Sequence, residues 1–104
     1  MLRFRFALDT GATRTVVNAD AVARLGYDDT DMTPGATILT GSGAAQARLV
    51  RLERLTSLGL TKVGPVVFVH RLPVQARIDG LLGLDFLRES RLTIDFRAGT
   101  IELA

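Results

Sequence analysis

From Leu2 to Leu8 the chain alternates without a break, with Leu2, Phe4, Phe6 and Leu8 on one face and Arg3 and Arg5 on the other. A period of two belongs to a half-buried strand, so "LRFRFAL" predicts one. The alternation returns near the C-terminus in "RLTIDFRAGTIEL". There Leu92, Ile94 and Phe96 lead to a Gly99 turn and then to Ile101 and Leu103, the pattern of a hairpin. "GPVVFVH", from Gly64, reads as a buried strand, and "ATILTGSGAAQARLV" as two strands flanking a Gly41-Ser42-Gly43 tip. In "RLVRLERLTSL" Leu49, Leu52, Leu55 and Leu58 recur every three residues, which a helical stripe would also give; we read the stretch as strand. Two short helices interrupt the strands. One runs from about Asn18 to Leu25, with Asn18 as N-cap and Gly26 as stop; the other covers about Asp85 to Glu89. The sum is a small, mostly antiparallel β domain with one or two short helices.

Length and composition narrow the function classes. A chain of 104 residues can bury one core but not two, so residues 1–104 form a single domain. With 47% apolar and 23% charged residues it is far from the disordered class. The net charge is +2 and the twelve Arg are scattered among acids, so no basic stripe suits nucleic acid and no nucleic-acid partner is expected. The absence of Cys removes disulfides, thiolate nucleophiles and Cys-ligated zinc, and leaves the redox compartment open. His70 is the only histidine and closes an apolar strand, where a structural role is the simpler reading. No run is long enough for a membrane span or a signal-peptide core. The chain reads as a soluble domain without a membrane segment, any anchor or larger precursor lying outside it.

Candidate chemistry centres on "ALDTGATRTVV", which puts Asp9 at the end of a strand and Gly11 straight after it. A turn Asp would look similar. So would the Asp-x-Gly-x-Thr phosphate loop of actin-like and sugar-kinase ATPases, but that fold needs several hundred residues and a second phosphate loop. Gly41-Ser42-Gly43 has neither the spacing nor the Lys of a nucleotide-binding fingerprint. Asp79 and Asp85 could join Asp9 in a metal site, yet Asp79 precedes a turn Gly and Asp85 looks like a helix-start residue, so both read as structural. No metal or cofactor is expected.

About seventy residues after Asp9 comes "IDGLLGLDFL", residues 78–87. With "LDTGA" before it and a glycine-tipped hairpin between, this order resembles the retropepsin-like aspartic proteases. The likeness is closest to bacterial members and Gag-polyprotein-type aspartyl proteases, and it covers nearly the whole chain. It implies a small closed antiparallel β-barrel-like acid-protease fold and aspartic endopeptidase activity. It implies Asp9 as the catalytic carboxylate, Thr10 as a hydroxyl bracing two active-site loops across a dimer, Gly11 as a backbone amide facing the carboxylate, and Ala12 as the end of that loop. Gly41, Ser42 and Gly43 would form the flap tip, and Leu81, Leu82 and Gly83 the structural turn behind the site.

Peptide hydrolysis by this route needs two carboxylates, one to take a proton from water and one to serve the scissile carbonyl oxygen. One chain has one such motif, so the second Asp9 would come from an identical chain, and the active unit would be a homodimer. The resemblance also implies apolar subsites lined by the flap and by residues such as Val16, Ile38 and Leu82, and so a polypeptide substrate with apolar residues at the cut. The alternative is a catalytically inactive dimerisation or peptide-binding module of the same fold.

Two departures from the family pattern stand out. The motif arrives nine residues from Met1, so the chain is expected to lack the usual first N-terminal strand, which in retroviral members interleaves with the C-terminal strand. A weak dimer or a monomer would follow. Retroviral members often carry an acid soon after the motif and an Arg directly after the later Gly, whereas Arg14 and Leu84 fall near those places here, with Asp85 next. The expectation is a brace of reversed polarity, Arg14 paired with Asp85.

Overall fold

The computed structural model describes residues 2–35, 37–40 and 43–104. The alternating N-terminal segment supplies β1 (Phe6–Leu8), followed by β2 (Val16–Asn18) and helix α1 (Ala19–Arg24). Then come β3 (Met32–Thr33), β4 (Thr37–Thr40), β5 (Gly43–Gln46), β6 (Arg48–Arg51), β7 (Arg54–Ser57), β8 (Leu60–Val63) and β9 (Val66–His70). The chain finishes with β10 (Gly80–Leu82), helix α2 (Leu84–Leu87), β11 (Leu92–Asp95) and β12 (Thr100–Leu103). Among the described residues no helix is long and apolar enough to cross a membrane.

The architecture is mostly β, as expected. Among the described residues six strands form one sheet in the order β1-β10-β2-β9-β6-β3, and three hairpins, β4 with β5, β7 with β8 and β11 with β12, form separate two-stranded sheets. Among the described residues the ladder of the main sheet runs from β1 to β3 without joining its ends, and it is mixed: β1 runs parallel to β10 and β2 parallel to β9. Parallel neighbours need long crossovers, and these carry the hairpins and α1.

The ambiguous leucine stretch resolves into β6 and β7. Leu52 is buried between them, and Leu58 leaves the pattern altogether, because Leu58 (φ 54°) and Gly59 (φ 79°) form the two-residue turn of the β7–β8 hairpin. Positive φ at both positions matches the right-handed twist of the strands that the turn joins.

Helix α1 lies between Asn18 at its N-cap and Leu25 at its C-cap, as expected, but the Asn18 side chain makes no capping bond. Asn18 ends β2, and its Oδ1 accepts instead from the Leu72 amide at 3.2 Å. Gly26 (φ 94°) does end the segment. Helix α2 begins at Leu84 with Gly83 as N-cap and is over by Leu87, before the expected Glu89, which sits at φ 72° outside helical backbone.

Two apolar clusters hold the layers together. Val17, Ala21, Val22, Val50, Leu52, Val67 and Val69 form the larger, with Phe4 packed on it; Leu82, Phe86 and Leu87 form the smaller, with Leu8, Leu92 and Leu103. Side chains such as Val22 and Val67, with no exposed surface, contribute about 2 kcal/mol each by leaving water. Phe6 touches both clusters. The strand that ends at Asp9 is thus fixed at the junction of the two cores. Leu2, predicted on the same face, is 51% exposed, because β1 begins only at Phe6.

Candidate active site

Asp9 follows the last residue of β1, and the backbone on both sides of it is tied down. Its amide donates to Leu82 O at 3.0 Å, and its carbonyl accepts from Ala12 N at 3.1 Å, closing a tight turn over Thr10 and Gly11. The Gly11 amide donates to Asp9 Oδ1 at 2.9 Å. A Cβ at Gly11 would stand 3.2 Å from that oxygen, so a side chain there would crowd the carboxylate. Asp9 is half-buried, whereas Thr10 and Gly11 are exposed.

The turn after β10 docks directly behind this loop. Leu84 N donates to Ala12 O at 2.8 Å, and Gly83 N donates to Thr15 Oγ1 at 3.0 Å. Gly83 is obligatory for a packing reason: a Cβ would lie 2.8 Å from Ala12 O and from Arg14 C, and 2.9 Å from Thr15 N. The structure therefore brings Asp9, Gly11 and Ala12 together with Leu82 and Gly83. Leu81 is the middle residue of β10, paired with Ala7 on one side and Val16 on the other.

Thr15, to which the sequence reading assigned nothing, is the hub of the contact. It is 1% exposed, the one buried polar side chain among the described residues. Its hydroxyl donates to Asp85 Oδ1 at 2.8 Å while accepting from Gly83, and its amide donates to the same Asp85 oxygen at 2.8 Å. The Phe86 amide adds a third bond to that oxygen at 3.0 Å. Buried hydroxyls are tolerated where both donor and acceptor roles are filled, as here. A Thr followed by a β-branched pair, Val16-Val17, gives no local sign of this role.

The expected pair between Arg14 and Asp85 is not formed among the described residues. The backbone and hydroxyl of Thr15 occupy Asp85, while Arg14 turns the other way: it donates to Val66 O at 2.9 Å and lies over the Phe68 ring at 5.5 Å. Asp79 is held as a turn residue, its Oδ2 accepting from Arg5 N at 2.8 Å. His70 ends β9. Val16 and Leu82, expected to line substrate pockets, are 6% and 3% exposed and belong to the interior. Of the expected flap tip, Gly41 and Ser42 lie outside the described residues; Gly43 starts β5 at φ 116°, in a hairpin whose Leu39 is 88% exposed. Among the described residues no three His, Cys, Asp or Glu side chains cluster as a metal site would require.

Residues 2–86 match the sequence profile of a family described as aspartyl protease. The chain belongs to the aspartyl protease family. Among solved structures the chain is similar to a retropepsin-like aspartic protease from Rickettsia conorii. The TM-score is 0.70 and the identity 23%, over 97% of this chain and 75% of that one. It is also similar to the EIAV protease solved in complex with the inhibitor HBY-793, with a TM-score of 0.66 and 22% identity over 83% of this chain and 75% of that one. No curated protein sequence matches it. The aspartyl protease fold is thus retropepsin-like, and the turn that clamps Asp9 lies within the matched residues up to Leu82 and Gly83.

Proposed function

We propose that the chain is an aspartic endopeptidase whose site is completed by a second copy, so that two Asp9 carboxylates face each other across a two-fold axis. The observation that carries this reading is the fixing of Asp9. Its backbone is tied on both sides and Gly11 N–H holds one carboxylate oxygen, among the described residues the only hydrogen bond that the carboxylate accepts. A strand end and a turn give such precision only where the neighbouring backbone is itself clamped.

Two carboxylates at roughly 3 Å cannot both ionise, so the pair shares one proton, as in aspartic proteases generally. The charged member takes a proton from a water as that water's oxygen bonds to the scissile carbonyl carbon. The protonated member gives its proton to the carbonyl oxygen. The carboxyl that took the water's proton then gives it to the amide nitrogen as the C–N bond breaks, and the other carboxylate takes back a hydroxyl proton of the tetrahedral intermediate, restoring the shared proton. Thr10, exposed at the turn, braces the two loops across the axis. The β4–β5 hairpin, with Gly43 at its described end, closes over an extended polypeptide and brings half-buried Ile38 to apolar residues near the cut. The second copy is supported by the exposed apolar surface of the C-terminal hairpin, where Phe96 is 91%, Ile101 44% and Ile94 43% exposed.

The test is digestion of a diverse peptide mixture read by mass spectrometry over a range of pH and protein concentration, beside Asp9→Asn. The expected result is cleavage with specific activity that rises with concentration and falls on the order of 10³-fold in the variant, its melting temperature unchanged. A folded protein that cuts nothing at any pH would favour the peptide-binding module instead.

A further inference from the structure

Beside the loop that carries Asp9 lies a groove of about 640 Å³, and its charge is one-sided. Arg14, Lys62 and Arg88 line it together with Asp85, while Val66 and Phe68 give it apolar wall. Among the described residues none of the three cations is in an ion pair; the pairs that form are Arg48 with Asp29, Arg54 with Glu53 and Arg71 with Asp20. The single acid offsets only part of this charge, and its Oδ1 is turned to Thr15 N, Thr15 Oγ1 and Phe86 N.

Arg14 is also set in place. Its Nη1 donates to Val66 O and its guanidinium lies over Phe68, which holds it against the groove wall. One of its five N–H donors is used there among the described residues, and the remainder suit a carboxylate. A positioned guanidinium loses little freedom when it binds a partner, unlike a free surface Arg.

We propose that this groove binds an acidic side chain of the polypeptide substrate, making Arg14, Lys62 and Arg88 a specificity-determining set for a Glu or Asp flanking the cut. This rests on the endopeptidase reading. The placement follows from chain geometry: Arg14 is five residues beyond Asp9, so their Cα atoms are at most about 17 Å apart. An extended peptide covers that span in about five residues at ~3.3 Å each, so the acid lies within about five positions of the scissile bond. The apolar wall formed by Val66 and Phe68 takes the methylenes of the acidic side chain, and this favours Glu over a free inorganic anion.

The experiment uses a neutral peptide library with an apolar centre, in which a single Glu, or Gln as control, is walked along the sequence. Cleavage rates are measured for the wild type and for the Lys62→Gln/Arg88→Gln double variant, which touches neither Asp9 nor its loop. Binding of the same library is measured by affinity selection on folded Asp9→Asn protein. One Glu position is expected to raise kcat/KM by about fivefold over Gln, the upper range of exposed ion pairs. The gain should shrink with added salt and fall in the double variant to the share that Arg14 supplies alone, with cleavage of the Gln peptides unchanged. Equal rates for Glu and Gln at every position overturn the proposal while leaving the endopeptidase reading intact. No cleavage, but Glu-selective binding weakened by Lys62→Gln/Arg88→Gln, sinks the endopeptidase reading and keeps the acidic-peptide groove. Capture of a single-stranded oligonucleotide in preference to every Glu peptide overturns it in favour of a polyphosphate ligand.

Discussion

The loop from Asp9 to Thr15 and the hairpin from Leu92 to Leu103 are both short, yet they are stabilised in opposite ways. The loop is closed by hydrogen bonds to a turn far away in sequence, through Leu82 O, Gly83 N, Leu84 N and Asp85 Oδ1, with a buried threonine at the centre. The hairpin is closed by its own local pairing, from Leu92 with Leu103 to Asp95 with Thr100, and by Asp95 capping the amides of Arg97 and Ala98. One end of it reaches the smaller core through Leu92 and Leu103, but Ile94, Phe96 and Ile101 stay largely in water. The loop is finished within one chain, while the hairpin has apolar surface to spare. The chemistry proposed for Asp9 would thus sit on the clamped part, and the spare apolar surface lies on the other.

The sharpest way to break this contrast is Gly83→Ala. The added methyl meets backbone atoms of Ala12, Arg14 and Thr15 that cannot rotate away, so a loss of about 3 kcal/mol is expected, visible as a large drop in melting temperature. Thr15→Val keeps the shape but strips the hydroxyl, leaving the buried Gly83 amide without its acceptor and Asp85 with one donor fewer. Thermal or urea unfolding should show a loss of about 2 kcal/mol, largely restored by Thr15→Ser.

The same contrast divides what could be read from the sequence. Strand β1, the Gly99 hairpin and the arms of the β4–β5 hairpin are local patterns, period two broken by turn residues, and they were legible. Asp9 and Gly11 were legible as a strand end meeting a turn. The parallel neighbour of β1 was not, because nothing near Phe6 announces Gly80. The Asp85 partner was misjudged for a related reason: charge suggests Arg14, but a carboxylate beside an amide and a hydroxyl of the next residue is satisfied at shorter range. The Leu58 position misled through periodicity, since a turn can place a leucine in register with a stripe it does not join.

On the hairpin, Phe96→Ser should change unfolding by no more than about 0.5 kcal/mol in dilute protein, because the ring is already in water. If the hairpin meets a second copy, sedimentation and activity against concentration should both shift to weaker association. Unchanged association would place the contact elsewhere. The smallest effect concerns Asp28, whose carboxylate the Thr30 hydroxyl and amide hold below its ordinary value. A lowered folded-state value stabilises the fold above the unfolded-state value, and this is lost as pH falls through the folded one. Asp28→Asn should therefore flatten, slightly, the decline in melting temperature on acidification.

Proteins are made from the N-terminus, so β1 emerges before β10, with which it pairs, as Arg5 does with Asp79, 74 residues on. Parallel contacts of such separation form late and slowly. While a ribosome is still adding residues, Asp9 exists as an ordinary solvated carboxylate on an unclamped turn. It gains its fixed geometry only when Leu82 and Gly83 arrive to lock it. On the endopeptidase reading, topology alone thus withholds the fixed carboxylate until β10 and the turn after it have been made.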